Sequence, residues 1–247
     1  MIRKKKILII IPSRLKSTRL KTKALRMILK KEMIIRVVEH TRKFKIGRVI
    51  VAAGDKKIQK LLIRNSFESY LSINSHNSGT DRIQEIYQNF FNGYDYILNL
   101  QGDMPYFKKE LLTDTISLLE DDQADIGTAA CLLDPADYKN PNVVKVQVSF
   151  KNKQGFAKDF NRNVKSVNQF YHHVGIYAFR PKSLENFVML KQSKNEKQRG
   201  LEQMRALDNG MKIKVALVNS KPFSVDTKED LKKIRNFLKH KNNEIRC

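Results

Sequence analysis

The sequence of 247 residues predicts an α/β protein with a mainly parallel, doubly wound sheet flanked by helices. Three observations carry this prediction. Short apolar segments rich in β-branched residues alternate with segments whose apolar residues recur at helical spacing. The first apolar segment, Ile7 to Ile11, is uninterrupted, as expected for a strand buried on both faces. Hydrophobic residues make up 41% of the chain, enough for the core of one large domain.

The elements follow in order along the chain. Strands are predicted at 6–11, 48–53, 70–75, 96–100, 125–131, 143–149, 174–179 and 212–218. Helices are predicted at 31–44, 56–66, 80–91, 108–120, 182–191, 200–208 and 227–239. In the segment 31–44, Ile34, Val37 and Val38 recur at helical spacing, and Leu231, Ile234 and Leu238 do so in the last predicted helix.

Strand and helix alternate in the first half of the chain, which favours parallel pairing. Between about 125 and 180 the predicted strands lie closer together, which indicates a mixed sheet or a small β-rich insertion. We expect one domain over residues 1–247, with this region as its dimerisation arm.

The chain is strongly basic, and the excess is concentrated at its start. The formal net charge is +23, and residues 1–48 contain 17 Lys or Arg but only two acids. Nucleic acid, anionic lipid and acidic small molecules are all compatible partners, and so is a set of merely solvated faces. The sequence contains no aromatic RNA-binding motif, so charge alone does not decide between them.

The cysteines and the hydropathy pattern bear on the compartment. Cys131 and Cys247 are far apart and form no disulfide framework or zinc-binding pattern, which fits a reducing compartment. No apolar run approaches membrane-spanning length. We therefore expect a soluble, cytoplasmic protein without membrane insertion.

A basic loop follows the first strand. Five cations lie between residues 14 and 23, at a position where open α/β sheets bind ligands. The loop lacks both the GxxxxGK[ST] and the GxGxxG patterns, so side chains rather than glycine-rich backbone would hold a polyphosphate. Arg14, Arg19 and Lys23 are the candidates, the alternative being that they are ordinary surface cations.

Two acidic residues are candidates for a metal site. Asp103 follows the strand at 96–100, and the preceding Gly102 lets a ligand approach the backbone, although Gly-Asp is also a common turn. A carboxylate beside bound phosphates is suited to Mg²⁺. Asp226 precedes the last helix, and locally the favoured interpretation is an N-cap, with Glu229 completing a capping box. The alternative is a second metal ligand.

Two polar segments are less specific. Thr80 or Asp81 is expected to cap the helix at 80–91, whose N-terminus could face an anion. His76 has no metal-spaced partner and is expected to be structural rather than a general base. His172 and His173 are adjacent on a strand and point to opposite faces, so one is expected to reach a ligand and the other solvent.

Six segments together resemble the 3-deoxy-manno-octulosonate (KDO) cytidylyltransferases, also called CMP-KDO synthetases. The segments are IIPSRLKSTRL at 10–20, HNSGTDRI at 76–83, LNLQGDMP at 98–105, HVGIYAFR at 173–180, LEQMRALDNGMKI at 201–213 and VDTKEDL at 225–231. Their order and spacing agree with this family over nearly the whole chain. The resemblance implies a Rossmann-like nucleotidyltransferase, usually a homodimer, that needs Mg²⁺ and transfers CMP from CTP to the sugar acid for lipopolysaccharide synthesis.

The resemblance also implies roles for individual residues. Catalytic positions are Arg14, Lys23, Asp103 and Asp226, the two aspartates being the metal ligands. Nucleotide-binding positions are Arg14, Ser17, Arg19, Lys23, His76, Ser78, Gly79, Thr80 and Arg82. Substrate-binding positions are Gln101, Arg162, His173, Tyr177, Glu196, Glu202 and Gln203.

The chain departs from the family pattern at five positions, one of which is Asn77, where glutamine is common. Thr22 replaces a glycine in the first loop, and Gly54 lies in a segment that is usually Thr-Asp-Asp. Met104 replaces a glutamate, and Arg199 stands where an acid is usual. These departures leave open a cytidylyltransferase that acts on a modified octulosonate or other sugar acid. The excess of positive charge at the start of the chain leaves open a non-enzymatic anion- or RNA-binding module.

Overall fold

A computed structural model describes residues 5–17, 19–76, 78–164 and 169–244 of the chain. The chain divides into two compact units. Unit 1 comprises Met1–Ile7, Asn92–Asn99 and Lys108–Lys221, and unit 2 comprises Leu8–Phe91, Leu100–Phe107 and Pro222–Cys247. The organisation of residues 1–247 as a single domain stays a prediction. Within the described ranges, no helix is long and apolar enough to cross a membrane.

The structure contains mixed α and β elements. The strands are β1 (Ile7–Ser13), β2 (Met27–Ile28), β3 (Lys31–Glu32), β4 (Arg48–Ala53), β5 (Ser69–Leu71), β6 (Tyr96–Asn99), β7 (Ile126–Cys131), β8 (Lys145–Val148), β9 (Gln154–Asn161), β10 (Phe170–Phe179) and β11 (Ile213–Leu217). The helices are α1 (Met33–Arg42), α2 (Lys56–Arg64), α3 (Gly79–Phe90), α4 (Glu110–Ser117), α5 (Pro181–Met189), α6 (Lys194–Arg199), α7 (Gln203–Asp208) and α8 (Lys228–Glu244).

Unit 2 is built on parallel strands. β4 pairs in parallel with β1 on one side and with β5 on the other. The apolar run of β1 is buried, as an all-apolar strand requires, and the buried faces of α1, α2 and α3 pack on β4. The parallel arrangement brings the C-terminal ends of β1 and β4 to the same edge, where Gly54 N–H donates to Ser13 O at 2.8 Å.

Unit 1 is built mainly on antiparallel strands. Its strand order is β6-β10-β7-β11-β9-β8, and β8 also pairs with β10. These pairings close a ring of five strands, β10-β7-β11-β9-β8. Only β11 and β7 pair in parallel among the pairings described for this unit. The length of β10 allows the ring to close, because its first residues pair with β8 while its last residues pair with β6.

The fold prediction is confirmed as a mixed α/β protein, but the mainly parallel sheet is not. Residues 125–180 supply β7 to β10, and these strands return on one another through antiparallel pairs. The predicted insertion is also not confirmed as a separate piece, because β7 and β10 lie in the middle of the strand order of unit 1. The role of this region in dimerisation stays a prediction.

Candidate active site

Lys23 lies between Asp103 and Asp226 in unit 2. Its Nζ donates to Asp103 Oδ2 at 2.6 Å and to Asp226 Oδ1 at 2.9 Å. We call these two acids the carboxylate pair. Burial lowers the pKa of Lys23, but both carboxylates favour its charged form and the net pKa is raised above the ordinary value. Arg19 also reaches the pair, with its Nη2 3.1 Å from Asp226 Oδ1.

Backbone hydrogen bonds join the two segments that carry the carboxylate pair. Val225 N–H donates to Asp103 O at 3.0 Å, and Phe223 N–H donates to Tyr106 O at 2.9 Å. The second bond belongs to a short antiparallel bridge between residues 106 and 223, and the first lies beside this bridge. The bridge is reinforced by an edge-on contact of the two rings, whose centroids are 6.2 Å apart. Two acids that are remote in the sequence are therefore fixed side by side.

The N-terminus of α8 does not use Asp226 as its cap. Thr227 Oγ1 accepts from Asp230 N–H at 3.1 Å, and Asp230 Oδ2 accepts from Thr227 N–H at 2.9 Å. This reciprocal pair replaces the predicted capping box of Asp226 and Glu229, which is therefore wrong by one residue. Because the cap is supplied by its neighbours, the Asp226 carboxylate is available to Lys23.

Thr22 has a backbone conformation that favours glycine, the residue that the family resemblance implies at this position. Its backbone is left-handed, with φ 52° and ψ 39°, and it immediately precedes a 3₁₀ turn at Lys23–Leu25. A side chain in this region costs about 1 kcal/mol, which a glycine avoids. With threonine at this position, Lys23 in the turn that follows contacts both acids of the carboxylate pair.

A second cationic cluster lies at the ends of β1 and β4, and we call Arg14 and Arg82 the arginine pocket. Arg82 is 6% exposed, and its Nε has no hydrogen-bond partner within the described residues. Burial and the nearby Arg14 lower the pKa of Arg82. A Cβ on Gly54 would lie 3.1 Å from Arg82 Nη2 and 3.2 Å from Arg14 Cβ, so the glycine makes room for both. Such a cluster is suited to an anion.

The N-terminus of α3 lies close to the same strand end. Ser78 caps the helix by accepting from Asp81 N–H at 3.0 Å, which corrects the predicted cap at Thr80 or Asp81. A Cβ on Gly79 would lie 3.2 Å from Pro12 Cγ, so the first turn of α3 packs directly on the end of β1. Thr80 is buried and Ser17 is half-buried. The predicted nucleotide residues of these loops thus share one region of unit 2.

His76 has a structural partner, as the sequence indicated. Its Nε2 hydrogen-bonds Glu85, which also accepts from Ser72 Oγ at 2.6 Å and from Ile73 N–H at 2.7 Å. Burial raises the pKa of Glu85, but these hydrogen bonds outweigh burial and lower it to about 2. The ionised carboxylate therefore ties the loop before α3 to the body of that helix.

The predicted sugar-side residues lie in unit 1, apart from Gln101, which is half-buried in unit 2. His173 is buried against Phe160, with ring centroids 4.9 Å apart, and its Nε2 is 3.0 Å from Thr128 Oγ1. Burial, followed by the neighbouring His172, lowers the pKa of His173 to about 3, so its imidazole is neutral at pH 7. Burial raises the pKa of Tyr177, whose ring is 5.7 Å from that of His173.

A β-bulge aims these two side chains. The register between β10 and β7 shifts between Val174 and Tyr177. Thr128 Oγ1 donates to Ile176 O at 2.7 Å within the bulge, which satisfies a carbonyl that the ladder leaves unpaired. The same hydroxyl contacts His173, so Thr128 orders both the bulge and the imidazole. Sequence reasoning missed Thr128 because a threonine in a buried strand carries no signal of its own.

The other predicted sugar-side residues differ in their surroundings. Glu196 forms a buried two-point ion pair with Arg205, with contacts of 2.9 and 2.6 Å, and it also completes a capping box with Ser193. These contacts account for its burial without a ligand. Arg162 Nη1 donates to Pro141 O at 3.0 Å. Gln203 is buried and Glu202 is half-buried at the start of α7.

Two further expectations are resolved in unit 1. The side chain of His172 is only 16% exposed, with Nδ1 3.8 Å from Asp137 Oδ2, and His173 is buried, so neither histidine of the pair faces open solvent, contrary to expectation. Arg199 Nη1 pairs with Asp159 and donates to Phe160 O at 2.9 Å. This departure from the family pattern therefore has an acidic partner of its own.

The carboxylate pair offers oxygen donors of the kind that Mg²⁺ prefers. Mg²⁺ prefers oxygen ligands, and it usually takes one or two carboxylates together with water and substrate phosphates. One oxygen of each aspartate lies within 3 Å of a single cationic atom, Lys23 Nζ. Among the described residues, no group of three or more His, Cys, Asp or Glu side chains is arranged for a metal. The donor set thus fits an ion that is completed by a phosphate ligand.

Comparisons with known proteins agree on one group. A family model described as cytidylyltransferase matches residues 8–213. The chain is 38% identical to a 3-deoxy-manno-octulosonate cytidylyltransferase of Bartonella henselae over 94% of this chain and 98% of that protein. It is 37% identical to the same-named protein of Brucella ovis, over 96% and 97% respectively. A solved structure of CMP:2-keto-3-deoxy-manno-octonic acid synthetase complexed with CTP superposes with a TM-score of 0.84, at 29% identity, covering 96% of this chain and 99% of that one.

Proposed function

The chain belongs to the cytidylyltransferase family, and on that premise we propose that it transfers CMP from CTP to the anomeric hydroxyl of KDO, giving CMP-KDO and pyrophosphate. It is a nucleotidyltransferase. The observation that carries the proposal is the convergence of Asp103 and Asp226 on Lys23, close to the cationic loop that follows β1.

The reaction needs positioning and charge neutralisation more than covalent chemistry. The anomeric oxygen forms a bond to the α-phosphorus, the bond from that phosphorus to the β-phosphate oxygen breaks, and the hydroxyl proton is released. Arg14 and Arg82 are suited to bind the phosphates by planar, multi-point hydrogen bonding, and the first turn of α3 offers backbone N–H groups beside them. Arg19 and Lys23 offset charge that develops on the leaving pyrophosphate.

We assign Mg²⁺ to the carboxylate pair. When bound, the ion neutralises phosphate charge and lowers the pKa of the attacking hydroxyl. Asp103 and Asp226 would hold it through the oxygens that now contact Lys23. The short bridge between residues 106 and 223 holds together the two segments that carry these carboxylates, which supports preorganisation of the site.

The sugar acid is assigned to the predicted cluster of unit 1. A neutral His173 can donate or accept a hydrogen bond but does not supply a positive charge at pH 7, so Arg162 is the better partner for the sugar carboxylate. Tyr177 and Gln203 offer hydroxyl and amide groups of the kind that bind sugar hydroxyls. The bulge in β10 fixes the orientation of His173 and Tyr177.

A pyrophosphate-release assay tests the proposal. Purified protein with CTP, KDO and Mg²⁺ should release pyrophosphate, and Asp103→Ala should lower turnover by about 10²-fold or more, as loss of an electrostatic catalytic group does. Asp122→Ala removes the same charge from a fully exposed side chain and should leave turnover unchanged. Normal turnover in Asp103→Ala, with an intact fold by circular dichroism, would contradict the assignment.

The same assay separates the alternative substrates. CTP, UTP and TTP are compared with KDO and with modified octulosonates as acceptors. Turnover that is restricted to a modified acid would replace KDO as the substrate while leaving the reaction type in place. Tight, steeply salt-dependent RNA binding without pyrophosphate release from any combination would instead favour the anion-binding module.

A homodimer in the cytoplasm that supplies CMP-KDO for lipopolysaccharide synthesis completes the proposal. The dimer is supported by family resemblance and by two large apolar side chains exposed in residues 125–180, Leu132 at 75% and Phe156 at 36%. A cytoplasmic location is supported by the cysteine pattern and by the use of CTP. Light scattering tests the oligomeric state, and cell fractionation tests the location.

A further inference from the structure

A cation that contacts both acids of the carboxylate pair belongs to the protein itself. Lys23 Nζ is 2.6 Å from Asp103 Oδ2 and 2.9 Å from Asp226 Oδ1, which are direct contact distances to both acids. The Lys23 side chain is only 19% exposed. From this geometry we propose that Lys23 competes with the divalent cation for the carboxylate pair, so that the metal binds only when the ammonium group has moved away.

Charge and distance require this competition. A Mg²⁺ ion would lie about 2.0 to 2.1 Å from its carboxylate oxygens, which is closer than the ammonium nitrogen lies now. An ion held by Asp103 Oδ2 and Asp226 Oδ1 would therefore occupy the space beside Nζ. A monovalent and a divalent cation at contact distance repel each other strongly in a partly buried site. Both cannot use the same two oxygens.

The chain around Lys23 allows the side chain to move without refolding. Its backbone is fixed in a 3₁₀ turn, in which Leu25 N–H donates to Thr22 O at 2.9 Å and Arg26 N–H donates to Lys23 O at 3.0 Å. The ammonium group is carried on a four-carbon stem with several rotatable bonds. Rotation about this stem moves Nζ by several ångströms while the turn keeps its hydrogen bonds.

The inference rests on the proposed function for the destination of the ammonium group. A triphosphate offers anionic oxygens that can take Lys23 from the carboxylate pair. Nucleotide and metal would then bind cooperatively, because the nucleotide draws Lys23 away from the oxygens that the metal uses. By thermodynamic linkage, bound metal raises the affinity for nucleotide by the same factor. Metal alone would bind weakly, which prevents the site from filling before the nucleotide is present.

Binding of Mn²⁺ alone tests the competition. Free Mn²⁺ is followed by electron paramagnetic resonance during titration of the protein without nucleotide. Lys23→Met removes the competitor and should tighten Mn²⁺ binding by about 5- to 150-fold, the usual range of coupling between sites. Lys21→Met removes the same charge from an exposed position two residues away and should leave Mn²⁺ affinity close to that of the wild type.

The outcomes separate the inference from the proposed function. The competition is overturned if Lys23→Met binds Mn²⁺ no more tightly than the wild type. It is also overturned if Lys23→Arg binds Mn²⁺ as tightly as Lys23→Met, because arginine keeps the positive charge. Thermal unfolding checks each variant, and Lys23→Gln repeats the test if Lys23→Met is unfolded. If neither Lys23→Met nor Lys23→Gln folds, the competition is also overturned, because the proposal requires that the fold tolerates departure of the ammonium group. None of these readings depends on pyrophosphate release by the wild type.

Discussion

Replacing Glu85 by glutamine should lower the free energy of unfolding at pH 7, and this loss should become smaller as the pH falls. Its carboxylate, 7% exposed, accepts hydrogen bonds from Ser72, from the N–H groups of Ile73 and Asn74, and from His76. An amide at this position turns one acceptor into a donor and directs it at groups that also donate. A buried polar group without a partner then results.

The magnitude follows from the pKa of Glu85. The folded protein lowers this pKa from 4.5 to about 2, which corresponds to about 3 kcal/mol of stability at pH 7. Because the folded value is the lower one, this contribution is complete above pH 4.5 and is lost as the pH falls toward 2. At pH 3.5 about 1.4 kcal/mol of it should already be lost, since the unfolded carboxyl is mostly protonated there.

Urea denaturation, followed by circular dichroism at several pH values, measures this contribution. The free energy of unfolding of Glu85→Gln should lie about 3 kcal/mol below that of the wild type at pH 7, and the gap should narrow at pH 3.5. Glu185→Gln is the control, because its exposed pair with Lys182 should contribute less than about 1 kcal/mol. The KM for CTP should rise in Glu85→Gln, since the loosened loop leads into Ser78 and Gly79.

Two results would refute this reasoning. One is a stability gap that stays constant between pH 7 and 3.5, because it would mean that the carboxylate is not held in its charged form. The other is a loss in Glu85→Gln no larger than in the control variant. In either case the contacts from residues 72–76 would not be the cause of the lowered pKa.

The remaining predictions concern unit 1. Arg205→Met leaves the buried Glu196 without its ion-pair partner and should cost about 3 to 5 kcal/mol in urea denaturation, whereas the double variant with Glu196→Leu should recover most of that loss. An equal loss in single and double variants would contradict the pairing. Gly127→Ala would place a Cβ 2.6 Å from Thr115 O and should lower stability by about 1 to 3 kcal/mol, measured by thermal unfolding. An unchanged midpoint of thermal unfolding in Gly127→Ala would contradict this prediction, because it would show that β7 and α4 can move apart without loss of stability.

The elements that the sequence predicted well are those with a continuous apolar signal. The predicted strand at 48–53 coincides with β4, and the predicted helix at 31–44 contains α1. Four elements were missed because they lack such a signal, namely the two-residue strands β2 and β3, the strand β9 and the helix α6. β9 has both faces partly exposed and carries polar residues, and α6 is polar throughout. The cap of α6, Ser193 with Glu196, was the one local signal that could have indicated it.

The site shows a similar division between local and tertiary information. Residue type and strand ends nominated Lys23 and Asp103, and the family resemblance added Asp226, but only folding shows that the lysine contacts both acids. The cap of α8 was predicted at Asp226, but Thr227 with Asp230 offers the same local pattern one residue later, and the sequence alone does not distinguish the two. Sequence distance also hid the ion pair of Arg199, since its partner Asp159 lies 40 residues away.

The order in which unit 2 is assembled has a consequence for synthesis on the ribosome. Its three segments come from the beginning, the middle and the end of the chain, and Asp226 is supplied by the last of them. A nascent chain therefore emerges with Lys23 and Asp103 long before the second acid exists. If Asp226 has the proposed role, the site is completed only once the segment that carries it has been synthesised and has folded onto the other two, and a chain truncated before residue 226 should be inactive.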